Sequence, residues 1–134
     1  MEIRLANEND IEILKTYDKH ISKTELTYIV KIGRVYIVEK DGIFIGWLRY
    51  NLFWDNTPFM NMLFLLDNYR GKGYGKKLVN TWEYNMKDIG YDIVMTSTLS
   101  NEQAQHFYRK LGYKDAGSLL LENEPLEIIF TKII

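Results

Sequence analysis

The sequence predicts an α/β fold: a sheet of mixed direction with helices on both faces. Three observations carry this. Short β-rich stretches alternate with stretches of helical periodicity. An almost wholly apolar run, Phe59 to Leu66, leads directly into the glycine-rich segment Arg70 to Gly75. Hairpin-like β patterns flank this region on both sides. The predicted order is β, α, α, β, β, β, α, β, α, β, β, which makes six or seven strands and about four helices.

Ile3 to Leu5 alternates briefly and reads as a first strand. Asn9 or Asp10 can cap a helix running to about His20, with Ile11, Leu14 and Ile21 on one side. Ser22-Lys23-Thr24-Glu25 has capping-box spacing, so a second helix follows to about Val30. Val35 to Lys40 and Ile43 to Tyr50 are strands joined by the two-residue turn Asp41-Gly42. A loop covers Leu52 to Thr57. Phe59 to Leu66 reads as a strand buried on both faces. From Gly73 to Ile89 the residues Leu78, Val79, Trp82, Met86 and Ile89 share a helical face, and Gly90 supplies the stop. Ile93 to Thr98 is another buried strand. Asn101 to Leu111 is a helix with Ala104, Phe107, Tyr108 and Leu111 on one face, ended by Gly112. Tyr113 to Leu121 and Leu126 to Ile133 are strands joined by the loop Glu122 to Pro125.

Composition limits the function classes. With 134 residues, one domain spanning 1–134 is expected, and 46% hydrophobic with 26% charged residues is ordinary for a globular protein. The net charge of -1 provides no global field toward nucleic acid or membrane. There is no cysteine, which excludes disulfides, thiolate nucleophiles and cysteine-ligated metals. Met1-Glu2-Ile3-Arg4 lacks a signal-peptide pattern, and no apolar run approaches the roughly 18 residues of a membrane helix. The expectation is a soluble cytoplasmic protein without a metal.

The glycine segment carries the chemistry. A strand that runs through glycines into a helix presents several unpaired N–H groups at one point, and the helix dipole adds partial positive charge. Together they make an anion site suited to phosphate. Arg70, Lys72, Lys76 and Lys77 place four positive charges in eight residues. Two common phosphate motifs are excluded by spacing. Counting back from Gly75-Lys76, the first P-loop glycine would fall on Arg70 and its hydroxyl residue on Lys77. The third glycine of a dinucleotide loop would fall on Lys76 or Leu78. Arg-x-x-Gly-x-Gly after a strand remains, and a glycine-rich turn with a solvated basic face stands beside the phosphate reading.

The run Leu63-Phe64-Leu65-Leu66-Asp67-Asn68-Tyr69-Arg70-Gly71-Lys72-Gly73-Tyr74-Gly75 resembles the acetyl-CoA motif of the GNAT acetyltransferase superfamily. About thirty residues on, Asn101-Glu102-Gln103-Ala104-Gln105-His106-Phe107-Tyr108-Arg109-Lys110-Leu111-Gly112-Tyr113 resembles that family's second signature. The resemblance is close from Met60 to Tyr113. It implies a GNAT-like sheet and an N-acetyltransferase that uses acetyl-CoA as co-substrate. It also implies that Arg70, Gly71, Lys72, Gly73, Tyr74, Gly75 and Lys76 wrap the CoA pyrophosphate. Leu65 would meet the pantetheine through its backbone, and Asn101 would meet it from the second signature.

Acyl transfer from a thioester to an amine requires a deprotonated amine, a stabilised oxyanion and a protonated leaving thiolate. The resemblance implies direct attack through a tetrahedral intermediate and places Tyr108 beside the sulfur as the acid. Without the resemblance, Tyr108 reads as a core aromatic. No base is evident: Asn61 stands where many members carry glutamate, and Asp55 and Glu39 are weak substitutes. His20 and His106 read as surface residues. Trp47, Tyr50, Phe53, Trp54 and Phe59 either line an acceptor pocket or form strand core and a homodimer surface. Asp55, Glu122 and Glu124 would suit a cationic amine. The partner is thus a small-molecule or protein amine, with nucleic acid and membrane not expected. A CoA-binding sensor that has lost efficient catalysis is the competing reading.

Overall fold

A computed structural model describes residues 1–134. Seven strands form one mixed sheet: β1 (Glu2–Leu5), β2 (Val35–Lys40), β3 (Ile43–Phe53), β4 (Thr57–Leu65), β5 (Ile93–Leu99), β6 (Lys114–Leu119) and β7 (Glu127–Ile133). Four helices accompany them: α1 (Ile11–Tyr17), α2 (Lys23–Lys31), α3 (Tyr74–Ile89) and α4 (Ala104–Lys110). The strand order is β1-β2-β3-β4-β5-β7-β6. Strand β4 pairs with β5 in parallel through Phe59–Met95 and Met60–Thr96, while β5–β7 and β6–β7 are antiparallel. No helix is long and apolar enough to cross a membrane.

The chain divides into two compact units, Met1–Asn51 with Met62–Leu78, and Leu52–Asn61 with Val79–Ile134. In the first, Leu14, Leu26, Ile29 and Val30 of the two N-terminal helices pack on Val35, Ile37 and Trp47. Helix α1 follows a single 3-10 turn capped by Asn7, whose side chain and Asp10 form a reciprocal capping box. It ends at Tyr17, earlier than the periodicity suggests, because Asp18 is extended and its carbonyl accepts from Lys15 Nζ at 3.2 Å. Helix α2 begins as expected at Ser22, whose hydroxyl accepts Glu25 N–H at 3.2 Å. Asp41 and Gly42 both have positive φ, as a two-residue hairpin turn between β2 and β3 requires.

Several expected boundaries move. The loop predicted over Leu52 to Thr57 contracts to Trp54–Asn56, since β3 runs on to Phe53 and β4 starts at Thr57. Strand β4 is not buried on both faces: only Pro58 and Met60 are buried, and Met62 to Leu65 are half-buried. In α3, Leu78, Val79, Trp82 and Met86 are fully buried, but Ile89 is 66% exposed. The helix closes on Met86, whose carbonyl accepts from both Gly90 and Tyr91, so Ile89 lies outside the packed stripe. Helix α4 starts at Ala104 and not at Asn101. The carboxylate of Glu102 accepts Leu99 N–H at 3.1 Å, and Gln105 Nε2 donates to the carbonyls of Ser100 and Glu102. These local bonds hold residues 100–103 in a turn after β5.

Candidate functional site

The first unit carries the glycine segment. Leu66 N–H donates to Ile45 O at 2.8 Å, which fixes the end of β4 on β3. By strand alternation the N–H and C=O of Leu65 point to the opposite edge. There Arg70 Nε donates to Leu65 O at 2.8 Å. Arg70 also pairs with Asp67 at 3.1 Å and stacks 4.8 Å from the centroid of Phe64. These contacts let Arg70 brace the cradle while its side chain stays exposed and keeps its positive charge beside the loop. The Leu65 N–H is left as that residue's remaining backbone donor.

Gly71 and Gly73 have φ of +72° and +86°, a conformation that L side chains adopt only with strain, and nothing lies within 4 Å of where a Cβ would stand. From Gly71 to Lys76, six consecutive N–H groups find no acceptor in the protein; the turn's first closing bond is Lys77 N–H to Gly73 O at 3.1 Å. Lys72 and Lys76 are exposed. Tyr74, the first residue of α3, turns its hydroxyl to Lys40 Nζ at 2.8 Å, with that ammonium 5.4 Å from its ring centroid. The loop is thus pinned by Arg70 and Tyr74 and leaves its N–H groups for a ligand. An open row of amides at a helix N-terminus fits a pyrophosphate.

The second unit carries Tyr108 and Asn101. Tyr108 is 6% exposed, with its ring against Tyr113 at 5.5 Å and Phe130 at 6.2 Å. Its phenol meets the Thr96 hydroxyl, which gives its own hydrogen to Met60 O at 2.9 Å. Burial, opposed only in part by Thr96, pushes the phenol well above the usual tyrosine range, and Glu102 adds to this. Tyr108 therefore stays protonated through neutral and mildly alkaline pH. Asn101 is exposed in the turn before α4 and lies outside the helix that carries Tyr108.

The weak base candidates fare poorly. Asn61 and Asp55 are exposed, and Glu39 is held by Arg4 at 2.8 Å. His20 and His106 are exposed. Of the five aromatics, Trp47 and Tyr50 are buried core residues of the first unit. Phe53, Trp54 and Phe59 form a ring cluster in the second, with centroids at 4.7 and 5.9 Å. Sequence reasoning missed Thr96 and Glu83. A strand threonine carries no signal, but Glu83 had one: it falls on the α3 apolar stripe, four residues after Val79 and three before Met86. No group of three or more His, Asp or Glu is arranged to hold a metal ion.

The model of the acetyltransferase (GNAT) family matches residues 5–113, about four fifths of the chain. The chain belongs to the GNAT acetyltransferase family. An uncharacterised N-acetyltransferase of Methanocaldococcus jannaschii is 27% identical over 125 residues, covering 86% of this GNAT chain and 79% of the relative. Among solved structures, Ard1 of Thermoplasma volcanium matches with a TM-score of 0.85 at 13% identity, covering 99% and 97% of the two chains. The PaiA N-acetyltransferase of Thermoplasma acidophilum, solved in complex with coenzyme A, matches at 0.78 and 20%, covering 99% and 98%. Both share the seven-stranded GNAT fold seen here.

Proposed function

We propose that this GNAT protein transfers the acetyl group of acetyl-CoA to a primary amine by direct attack, with 1–134 acting as one catalytic domain. The family match runs without a break from the first unit into the second, which supports a single domain. The observation that carries the reading is the row of six unaccepted N–H groups from Gly71 to Lys76 at the head of α3. We assign the CoA pyrophosphate to these amides, with Lys72 and Lys76 as added charge. We assign the Leu65 N–H to the pantetheine chain, and Asn101 to the same chain as the family resemblance implies.

In the reaction the amine nitrogen bonds to the thioester carbon and the carbon–sulfur bond breaks. Tyr108, which keeps its hydrogen at neutral pH, donates it in a hydrogen bond to the departing thiolate, and a proton passed on as the thiolate becomes a thiol is returned to Tyr108 from solvent. The proton lost by the amine goes to solvent, since Glu39 is held by Arg4 and Asn61 is an amide. The acceptor is an amine on a small molecule or a protein, and the site of action is the cytoplasm.

Release of free thiol from acetyl-CoA, followed across a panel of amines, tests this. Turnover with at least one amine is expected. Tight CoA binding with no turnover for any amine would favour the sensor, the reading that Asn61 supports. Gly73→Glu should abolish CoA binding in a folded protein, because it puts strain, bulk and negative charge among the amides; unchanged affinity would overturn the cradle. Tyr108→Phe should lower turnover roughly 10- to 1000-fold with little change in CoA affinity, and full activity would remove Tyr108 as the acid.

A further inference from the structure

One buried charged cluster has no part in the chemistry described so far. Glu83 is 8% exposed on α3, and its carboxylate accepts Tyr113 O–H at 2.7 Å and Lys132 Nζ at 2.8 Å. The Lys132 ammonium also lies 5.5 Å from the Tyr113 ring centroid. Tyr113 is 2% exposed, so its ring and hydroxyl are both enclosed. Burial and the adjacent Glu83 carboxylate push its phenol far above the usual tyrosine range. Two hydrogen bonds to the one carboxylate thereby hold the three side chains in one geometry.

Such a cluster is a poor device for stability, because well-packed apolar residues of similar volume would serve as well or better. What it supplies is direction. The Tyr113 hydroxyl can rest only on Glu83, which fixes the plane of the Tyr113 ring. That ring stands edge-on to Tyr108, centroids 5.5 Å apart at 68°. Tyr108 is flanked by Phe107 at 5.2 Å and Phe130 at 6.2 Å, so Tyr113 closes the setting that aims its hydroxyl. A proton donor must meet its acceptor within hydrogen-bond reach, and misplacement by about 1 Å can cost on the order of 100-fold.

We propose that Glu83, Tyr113 and Lys132 are positioning residues that hold the Tyr108 ring in its proton-donating orientation. This rests on the reading of Tyr108 as the acid. The test is steady-state kinetics on Tyr113→Phe, which keeps the ring and loses the hydroxyl, alone and combined with Tyr108→Phe. Tyr113→Phe should lower kcat on the order of ten-fold while KM for acetyl-CoA stays within about two-fold, as for a group aligned only for the chemical step. In the Tyr108→Phe background the same change should have no further effect on kcat. A wild-type kcat for Tyr113→Phe, or losses that multiply in the double variant, would overturn the proposal. Full activity of Tyr108→Phe alone would instead remove the acid reading, and this proposal with it.

A second pair guards against misfolding. Glu83→Gln keeps an oxygen for the Tyr113 hydroxyl and should retain most of kcat. Glu83→Leu removes that acceptor and should behave like Tyr113→Phe. A merely structural cluster would lower melting temperature in both variants and leave kcat equal at a temperature where both are folded, which would also overturn the proposal.

Discussion

At the scale of single residues, the first unit turns on Asp18. It is fully buried and accepts from Arg49 Nε at 2.7 Å, Trp47 Nε1 at 3.1 Å and the backbone N–H of His20 at 3.1 Å. Burial alone would raise its carboxyl, but the bonds and charge of Arg49, with His20 and Trp47, outweigh this and hold it below the usual aspartate range. A depressed carboxyl stabilises the fold above its unfolded pKa, near 4, and that contribution is lost as pH falls through the lower folded value. Acid unfolding should therefore set in at lower pH for the wild type than for Asp18→Ala. The variant strands Arg49 among apolar neighbours and should lose about 3–5 kcal/mol at neutral pH by denaturant titration. None of this was legible beforehand, because an aspartate after a helix reads as a solvated cap. The acid role proposed for Tyr108 comes from the family resemblance; by periodicity it is one more aromatic on an apolar face.

At the scale of elements, legibility followed the locality of the forces. Helix α2 was read correctly because the Ser22 cap and the turn it starts lie within four residues. The Asp41-Gly42 hairpin likewise needs only its own two dihedrals. Helix α4 was overextended because side-chain bonds of Glu102 and Gln105 compete with the helix for backbone groups, and periodicity does not register them. The anchoring of β4 depends on an approach no pattern reveals: a Cβ on Gly46 would stand 2.4 Å from Phe64 O and 2.7 Å from Leu65 Cδ2. Gly46→Ala must push the end of β4 away from β3. It should cost about 1–3 kcal/mol, as other overpacking substitutions do, and weaken CoA binding, because Leu65 and the Arg70 brace move with that strand end. Calorimetric titration of CoA into the folded variant checks this, and wild-type affinity would contradict it.

At the scale of the whole molecule, a ligand bound only by the folded state adds stability by mass action. Acetyl-CoA at 100 times its Kd should raise unfolding free energy by about 2.7 kcal/mol, seen as a higher melting temperature that Gly73→Glu fails to show. The succession of strands and helices was legible because seven β-rich stretches are set off by turns and by helical periodicity, whereas the place of β7 between β5 and β6 was not. The division into two units was not, for its boundaries fall inside β3, after Asn51, inside β4, after Asn61, and inside α3, after Leu78. Elements that continue through a boundary should make unfolding one event, and the tryptophans provide the optical means to see it. Trp47 is buried in the first unit, Trp82 in the second, and Trp54 is 79% exposed. Replacing Trp54 by Phe removes the emitter that iodide would quench first and leaves one shielded fluorophore per unit. Each can then be silenced in turn, so that red-shifting emission reports the melting of one half of the protein at a time. Coincident midpoints are expected from the two reporters, and separate midpoints would mean that the fold comes apart in two stages.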